Sequence, residues 1–457
     1  MRNLFRSIVI TLLLTQVAMG GPLSAQEPVP LSQSPVLPVP QLGYGLFFAY
    51  GVDSAALDDI GFNYSKSFGG GDGTHVHLTR LWANWYDYEH QDQFRQEIRN
   101  SVRPHVNEPV AYEIGNEPNL DWAWSEGAPG TQNPDPAKYT ALLRIAYQEI
   151  KAMDPDATVV AAGMATVGPA DPTQQPWAYP QAWNDLMFVQ AMYDHGVRGY
   201  FDAMGGHPYG FAYEPERDPK DPTVNGLAFR RMEQLHQVMV ANGDGDTPIW
   251  GSEWGWLIRR SECESQWRTE GRWWQVVSEQ QQADYLVRAF QYAEAHWPWM
   301  GPLFVNYDFA RAKPNCDALS WYGIINADGT HRPAYGALKA MPKVHVLLVK
   351  PGAFAWMQQF DQRKPISTAV TISNAGAGSF HWTLSVDQLW VSPSDISGVD
   401  GAQVTLTVDP TGLAMGTHQA TITITADEGV YGSPREIRLR LILVSIFHQV
   451  FLPSVPR

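Results

Sequence analysis

Eight short apolar runs recur between residues 43 and 341 with helical patterns between most of them, and this alternation constrains the fold more than any other feature. The runs span 43–50, 62–68, 76–81, 110–115, 158–164, 201–207, 248–252 and 302–308. Parallel neighbours need long crossovers, so eight such strands predict an α/β chain closed into a (β/α)8 TIM barrel. The spacing predicts helices over 136–153, 182–193, 227–241 and 279–295. In the first of them Tyr139, Leu142, Leu143, Ile145, Ala146 and Ile150 share one broad apolar side, as a helix packed on a sheet requires. A doubly wound open sheet is the structural alternative, but no Gly-rich phosphate loop follows the first strand.

Two stretches depart from the pattern. Between the second and third strands lies only Gly69-Gly70-Gly71-Asp72-Gly73, too short for a helix. The barrel is therefore expected to be trimmed in its first half. After Met341 helical patterning stops, and Val, Thr and Ile alternate in Val404-Thr405-Leu406-Thr407-Val408 and Ala420-Thr421-Ile422-Thr423-Ile424. Short alternating strands between Asp-Pro, Gly and Ser turns describe a small all-β sandwich. The expected organisation is a barrel over 42–341, a linker over 342–351, a sandwich over 352–448 and a tail over 449–457.

The N-terminus reads as a leader. Arg2 and Arg6 precede an apolar run from Ile8 to Val17, and Leu23-Ser24-Ala25 offers a small-residue cleavage site. A signal peptide over 1–25 and a Pro-rich linker over 26–41 follow, with the mature chain expected outside the cell and cell-surface association as a variant. The apolar run is too short to span a bilayer comfortably, so no membrane span is expected in the mature protein. The net charge of -15 argues against a nucleic-acid partner, which needs a basic face to release phosphate counterions. Eighteen Trp residues fit either a Trp-rich core or surfaces that stack on sugar rings.

Two acidic motifs close predicted barrel strands. Glu113-Ile114-Gly115-Asn116-Glu117-Pro118-Asn119 ends the fourth, and Ser252-Glu253-Trp254-Gly255-Trp256 ends the seventh. The C-terminal ends of barrel strands meet around one mouth, so Glu117 and Glu253 can converge there. Two carboxylates about 5 Å apart can share the work of attacking an anomeric carbon and protonating the leaving oxygen. No cofactor is needed for that chemistry. The bland alternative is a pair of solvated strand-end acids.

At these residues the sequence resembles a family. Asn116-Glu117-Pro118, with a second Glu closing the seventh strand, looks like the clan A glycoside hydrolases. Tyr112-Glu113-Ile114-Gly115-Asn116-Glu117-Pro118-Asn119-Leu120 with Gly206-His207-Pro208-Tyr209 is most similar to family 39 and its bacterial relatives. The resemblance covers roughly 42–341 and implies a retaining hydrolase of β-linked glycosides or polysaccharides. Carried across by motif, Glu117 is the acid/base and Glu253 the nucleophile. Asn116 would bind the sugar 2-hydroxyl, and His207 and Tyr209 would line the site. Carbohydrate is then the partner. Two rivals keep the same residues: a transglycosylase, and a catalytically silent sugar-binding barrel.

Other residues complete the expectation. Glu113 shares strand parity with Glu117 and is read as a buried carboxylate paired with Arg80 of the third strand. Val305 stands where many clan members carry a Trp under the reacting sugar, so Tyr307 or a nearby Trp is expected to replace it, with Asn306 a further substrate-binding candidate. Trp82, Trp85, Trp122, Trp124, Trp254 and Trp256 follow strands at the mouth, and Trp82, Trp254 and Trp256 are the candidate sugar platforms. His75 and His77 lack a carboxylate cluster and are read as structural, with no metal site. Cys263 and Cys316 follow the seventh and eighth strands, neighbours in a barrel, so a disulfide between them is expected. The C-terminal domain resembles the BACON sandwich of bacterial carbohydrate enzymes through Trp390-Val391-Ser392-Pro393, Val404–Pro410 and Gly416-Thr417-His418. With only Trp356, Trp382 and Trp390 as aromatic candidates there, a spacer role is preferred to sugar binding.

Overall fold

The computed structural model describes residues 42–445 except 69, 74, 107–109, 126–130, 156, 170–176, 180–181, 351, 375–377 and 431. The expected leader, Pro-rich linker and tail lie outside the described residues. Eight parallel strands form the barrel: β1 Tyr44–Phe48, β2 Tyr64–Ser67, β3 Val76–Leu81, β4 Val110–Ile114, β5 Thr158–Ala161, β6 Met204–His207, β7 Ile249–Trp254 and β8 Met300–Asn306. β8 pairs back onto β1. The seam between β5 and β6 is closed by Ala161 N–H donating to the Ala203 carbonyl at 2.9 Å and Asp202 N–H to that of Val159 at 2.7 Å. A short continuation of β5, Met164–Ala165, pairs with the end of β6.

The strands carry two apolar faces, because alternate side chains point to opposite sides. Outward residues such as Leu46, Tyr112, Val159, Ile249 and Val305 pack under the helices. Inward residues Phe47, Tyr64, Leu78, Ala111, Val160, Trp250 and Phe304 fill the barrel. The expected 136–153 helix is Pro136–Met153: Asp135 caps it by accepting from Ala137 and Lys138 N–H, and Pro136 supplies a first-turn residue with no N–H to satisfy. Its Tyr139 hydroxyl donates to the Ile114 carbonyl at 2.7 Å and accepts from Ala162 N–H at 2.6 Å, tying the ends of β4 and β5 together. The helix between β7 and β8, Glu279–His296, starts with a Ser278/Gln281 capping box. No helix separates β2 from β3 among the described residues. No helix there is long and apolar enough to cross a membrane.

The C-terminal domain is a sandwich of two sheets. One orders Leu347–Lys350, Ile366–Asn374, Ala402–Val408 and Val391–Pro393. The other orders Ala353–Gln359, Arg435–Val444, Gly416–Ala426, His381–Val386 and Ser397–Val399. All pairs are antiparallel except Ala353–Gln359 on Arg435–Val444. Alternating residues such as Ile422 and Ile424, with Leu439, Leu441 and Leu443, fill the space between the sheets. At the joint, Val344 N–H donates to the Tyr44 hydroxyl of the barrel and Val346 N–H to Asn374 of the sandwich.

Candidate active site

The barrel interior changes character toward the C-terminal ends of its strands. Two residues beyond the apolar Tyr64, Leu78, Ala111, Trp250 and Phe304, on the same inward faces, stand Lys66, Arg80, Glu113, Ser252 and Asn306. These polar side chains are buried, so each needs a partner. Glu113 Oε2 meets Lys66 Nζ at 2.7 Å and Arg80 Nε at 3.1 Å, while its Oε1 accepts from the Ser252 hydroxyl at 2.5 Å. The expected Arg80–Glu113 pair is thus part of a larger cluster. Arg80 and Glu113 are also directly opposed in the β3–β4 register.

Glu253 joins this cluster from above. Its Oε1 is gripped by Arg80 Nη2 and lies 3.4 Å from Lys66 Nζ, and its Oε2 accepts from the Tyr209 hydroxyl at 3.4 Å. In a regular strand Ser252 and Glu253 would face opposite ways. The β7–β8 register shifts between Gly251 and Trp254, three residues of β7 spanning two of β8. Such a bulge re-aims side chains, and here both reach the same charges. Burial pushes the Glu253 carboxyl up, but the charges of Arg80 and Lys66 outweigh it and hold the group far below the ordinary carboxylate range. Burial also raises Glu113, and the same two cations bring it down to about 2. Lys66 is lowered by burial and by the neighbouring Arg80 charge. Tyr209 is raised well above its usual value, first by burial and then by the Glu253 charge, so its hydroxyl stays a donor.

Glu117 is held differently. Gly115 and Glu117 both have positive φ, 89° and 44°, so the chain after β4 turns sharply. Its backbone is pinned by Glu117 N–H to the Gly163 carbonyl at 3.0 Å and Leu120 N–H to the Glu117 carbonyl at 2.9 Å. The Glu117 carboxyl meets His207 Nδ1 at 2.8 Å and no Lys or Arg among the described residues. His207 is fully buried against Gly163, where an added Cβ would fall 2.2 Å from the ring. Asn116 is buried with an Oδ1 that has no hydrogen-bond partner among the described residues.

Glu117, Glu253, Asn116, Arg80 and Tyr209 line one cleft of about 930 Å³. Phe68, Trp82 and Trp122 form an aromatic side, with Trp82 55% exposed and Trp122 41% exposed. The Arg80 guanidinium lies 5.7 Å from the Phe68 ring and 5.8 Å from that of Trp82. Gln266, Glu270, Arg272 and Gln275 form a polar side. Their loop is fixed by a Cys263–Cys316 disulfide, Cα atoms 5.3 Å apart, and by a small core of Leu257, Ile258, Trp267, Val276, Trp321 and Tyr322.

No family model matches the chain, and no curated protein matches it. Among solved structures it is similar to β-glucuronidase 2 of Bacteroides uniformis, with 15% identity, a TM-score of 0.44, 89% of this chain covered and 46% of that one. The chain thus spans less than half of that protein's length. A family 39 glycoside hydrolase from Bacteroides cellulosilyticus WH2 gives 15% identity and a TM-score of 0.43, with 81% of each chain covered. The endo-β-1,4-mannanase of Thermotoga petrophila gives 12% identity and a TM-score of 0.38 over 90% of this chain and 99% of that one.

Several expected ligand contacts are corrected by burial. Trp254 and Trp256 have no exposed surface and pack against Phe229, with Phe290 on Trp254 and Tyr285 on Trp256. Trp256 donates its indole N–H to the Tyr213 carbonyl at 2.8 Å. Neither ring offers a face to a sugar. Tyr307 belongs to the helix-side layer and packs edge-on against Phe48. Val305 faces that layer as well, so it is not a floor position; its inward neighbour Asn306 is buried and does not line the cleft. Trp124 is buried too. His77 Nδ1 pairs with the Ser65 hydroxyl at 2.9 Å, and His75 sits between Asp72 and Asp58. No group of His, Cys, Asp and Glu able to hold a metal ion occurs among the described residues. Lys66 and Ser252 were not singled out by sequence, although strand parity marks both as inward-facing.

Proposed function

We propose that this chain is a glycoside hydrolase acting on β-linked glycosides or polysaccharides with retention of configuration. The observation that carries the reading is the unequal setting of two carboxylates in one cleft: Glu253 bound by Arg80 and Lys66, Glu117 by His207 with no Lys or Arg beside it among the described residues. Environments that differ in this way divide the roles of a carboxylate pair. Glu253, kept ionised, attacks the anomeric carbon while protonated Glu117 gives its proton to the leaving glycosidic oxygen. The product of this step is a glycosyl ester on Glu253. Glu117, now a carboxylate, takes a proton from water as that water attacks the anomeric carbon and releases Glu253. A sugar hydroxyl in place of water gives transglycosylation from the same ester. Asn116 Oδ1 is free to accept from a sugar hydroxyl, and Trp82 and Trp122 offer ring faces for stacking.

We read the protein as exported, a reading supported by the disulfide, which persists in oxidising compartments. The sandwich is read as a spacer: Trp382 is buried and no large aromatic side chain is exposed among the described residues of that domain. The test is labelling of the purified protein with 2-deoxy-2-fluoro glycosides of several sugars, mapped by mass spectrometry. An adduct on Glu253, absent in Glu253→Gln, is the expected result, and the sugar that labels names the substrate. Sugar binding without turnover or adduct, in folded protein, would favour the silent barrel.

A further inference from the structure

The proposed chemistry accounts for Arg80 beside Glu253 but leaves a second buried cation, Lys66, without a task. Resting on the hydrolase reading, we propose that Lys66 is a positioning residue whose ammonium, shared between Glu113 and Glu253, fixes the Glu253 carboxylate in place and in its charged form. Among the described residues the Nζ has three oxygen neighbours: Glu113 Oε2 at 2.7 Å, the Ser252 carbonyl at 3.1 Å and Glu253 Oε1 at 3.4 Å. Three acceptors around one nitrogen match the three donors of a protonated lysine. Its stem is sealed from solvent, and the Phe47 ring lies 4.7 Å from the charge.

The arrangement is a square of two cations and two anions, and its asymmetry is informative. Glu113 contacts both cations at hydrogen-bond distance, whereas Lys66 reaches Glu253 at its longest contact. When Glu253 becomes an ester it loses its charge. Lys66 and Arg80 then still share Glu113, so neither is left as an unpaired buried charge, a costly state. Glu113 thus keeps both cations at their posts while Glu253 alternates between carboxylate and ester. The bulge that brings Ser252 and Glu253 to one side also hands Lys66 the Ser252 carbonyl, coupling the backbone at Glu253 to the same ammonium.

A lysine that merely neutralised Glu113 would affect folding and nothing else. The discriminating measurement is the pH dependence of inactivation by the labelling glycoside in wild type, Lys66→Met and Lys66→Arg, each checked for folding by circular dichroism. Removing one of two cations from beside a carboxylate moves its titration upward by about one pH unit or more. Lys66→Met is therefore expected to lose labelling as pH falls, with its acid limb at least about one unit above that of wild type. Lys66→Arg, which keeps a cation, is expected to restore much of the wild-type limb. Should Lys66→Met fail to fold, Lys66→Gln, which removes the charge but keeps a hydrogen-bond donor for Glu113, is expected to show a raised limb as well. A wild-type limb in a folded Lys66→Met or Lys66→Gln variant overturns the proposal. Wild-type protein that labels elsewhere than Glu253, or nowhere, overturns the hydrolase reading itself, a different failure from a variant that labels at Glu253 with an unchanged profile.

Discussion

The interior of the sandwich and the upper interior of the barrel are built from the same alternation of side chains and hold opposite contents. Between the sandwich sheets lie Val370, Ile372, Val404, Leu406, Ile422 and Leu441, and the one buried polar residue among those described, Asn374, is hydrogen-bonded. At the C-terminal end of the barrel the equivalent inward positions hold Lys66, Arg80, Glu113 and Ser252. An apolar interior gains stability from burial alone. Buried charges are costly unless paired, so a layer of them marks where the fold gives up easy packing for something else. The difference separates the part of the chain that holds shape from the part fitted for chemistry.

The two regions differ most in consequence at Glu117. Glu117→Gln is expected to lower kcat/KM on glycosides with poor leaving groups by about 10²- to 10⁴-fold, with the thermal midpoint little changed. In the sandwich, Leu441→Ala removes a fully buried side chain and is expected to cost about 2–5 kcal/mol in urea unfolding, with kcat/KM per folded molecule unaltered. A large effect of that variant on turnover would dissolve the division between the domains. Acid sharpens it. Glu113 has its pKa lowered to about 2 in the fold, so its contribution to stability is present above the ordinary glutamate range and lost as pH falls toward about 2. Glu113→Gln is expected to flatten that acid slope in chemical unfolding, whereas Leu441→Ala lowers stability without changing the slope. The smallest effect is expected at the rim: Trp82→Ala should raise KM severalfold, about 1 kcal/mol of stacking, with kcat nearly constant. A change confined to kcat would remove Trp82 from the binding surface.

Much of this was legible in the chain, for identifiable reasons. The eight strands show as apolar runs because each is buried on both faces, and Pro136–Met153 has the bounds expected from its apolar side and its Asp135-Pro136 start. Glu117 and Glu253 stand at the C-terminal ends of strands, which meet around the barrel mouth, so the two can line one cleft. The aromatic residues misled because strand order says nothing of what covers the outer face. Trp254 and Trp256 follow Glu253 in sequence yet turn under Phe229 and the Glu279–His296 helix. Lys66 was legible in principle, two residues beyond Tyr64 on an inward face. A lone lysine between two serines gave no hint of its partners, which come from β4 and β7. The bulge in β7 depends on pairing with β8 and leaves no mark in the sequence of either strand.

The left-handed backbone at Glu117 bears on any attempt to engineer this protein. A side chain with a Cβ held at φ 44° costs about 1–2 kcal/mol relative to a comfortable conformation. Glycine is free of that penalty, and asparagine bears it more lightly. A library selected for heat resistance alone is therefore expected to enrich Glu117→Gly or Glu117→Asn, hardening the scaffold while discarding the group proposed to move the proton. Selection on this chain needs a turnover readout from its first round.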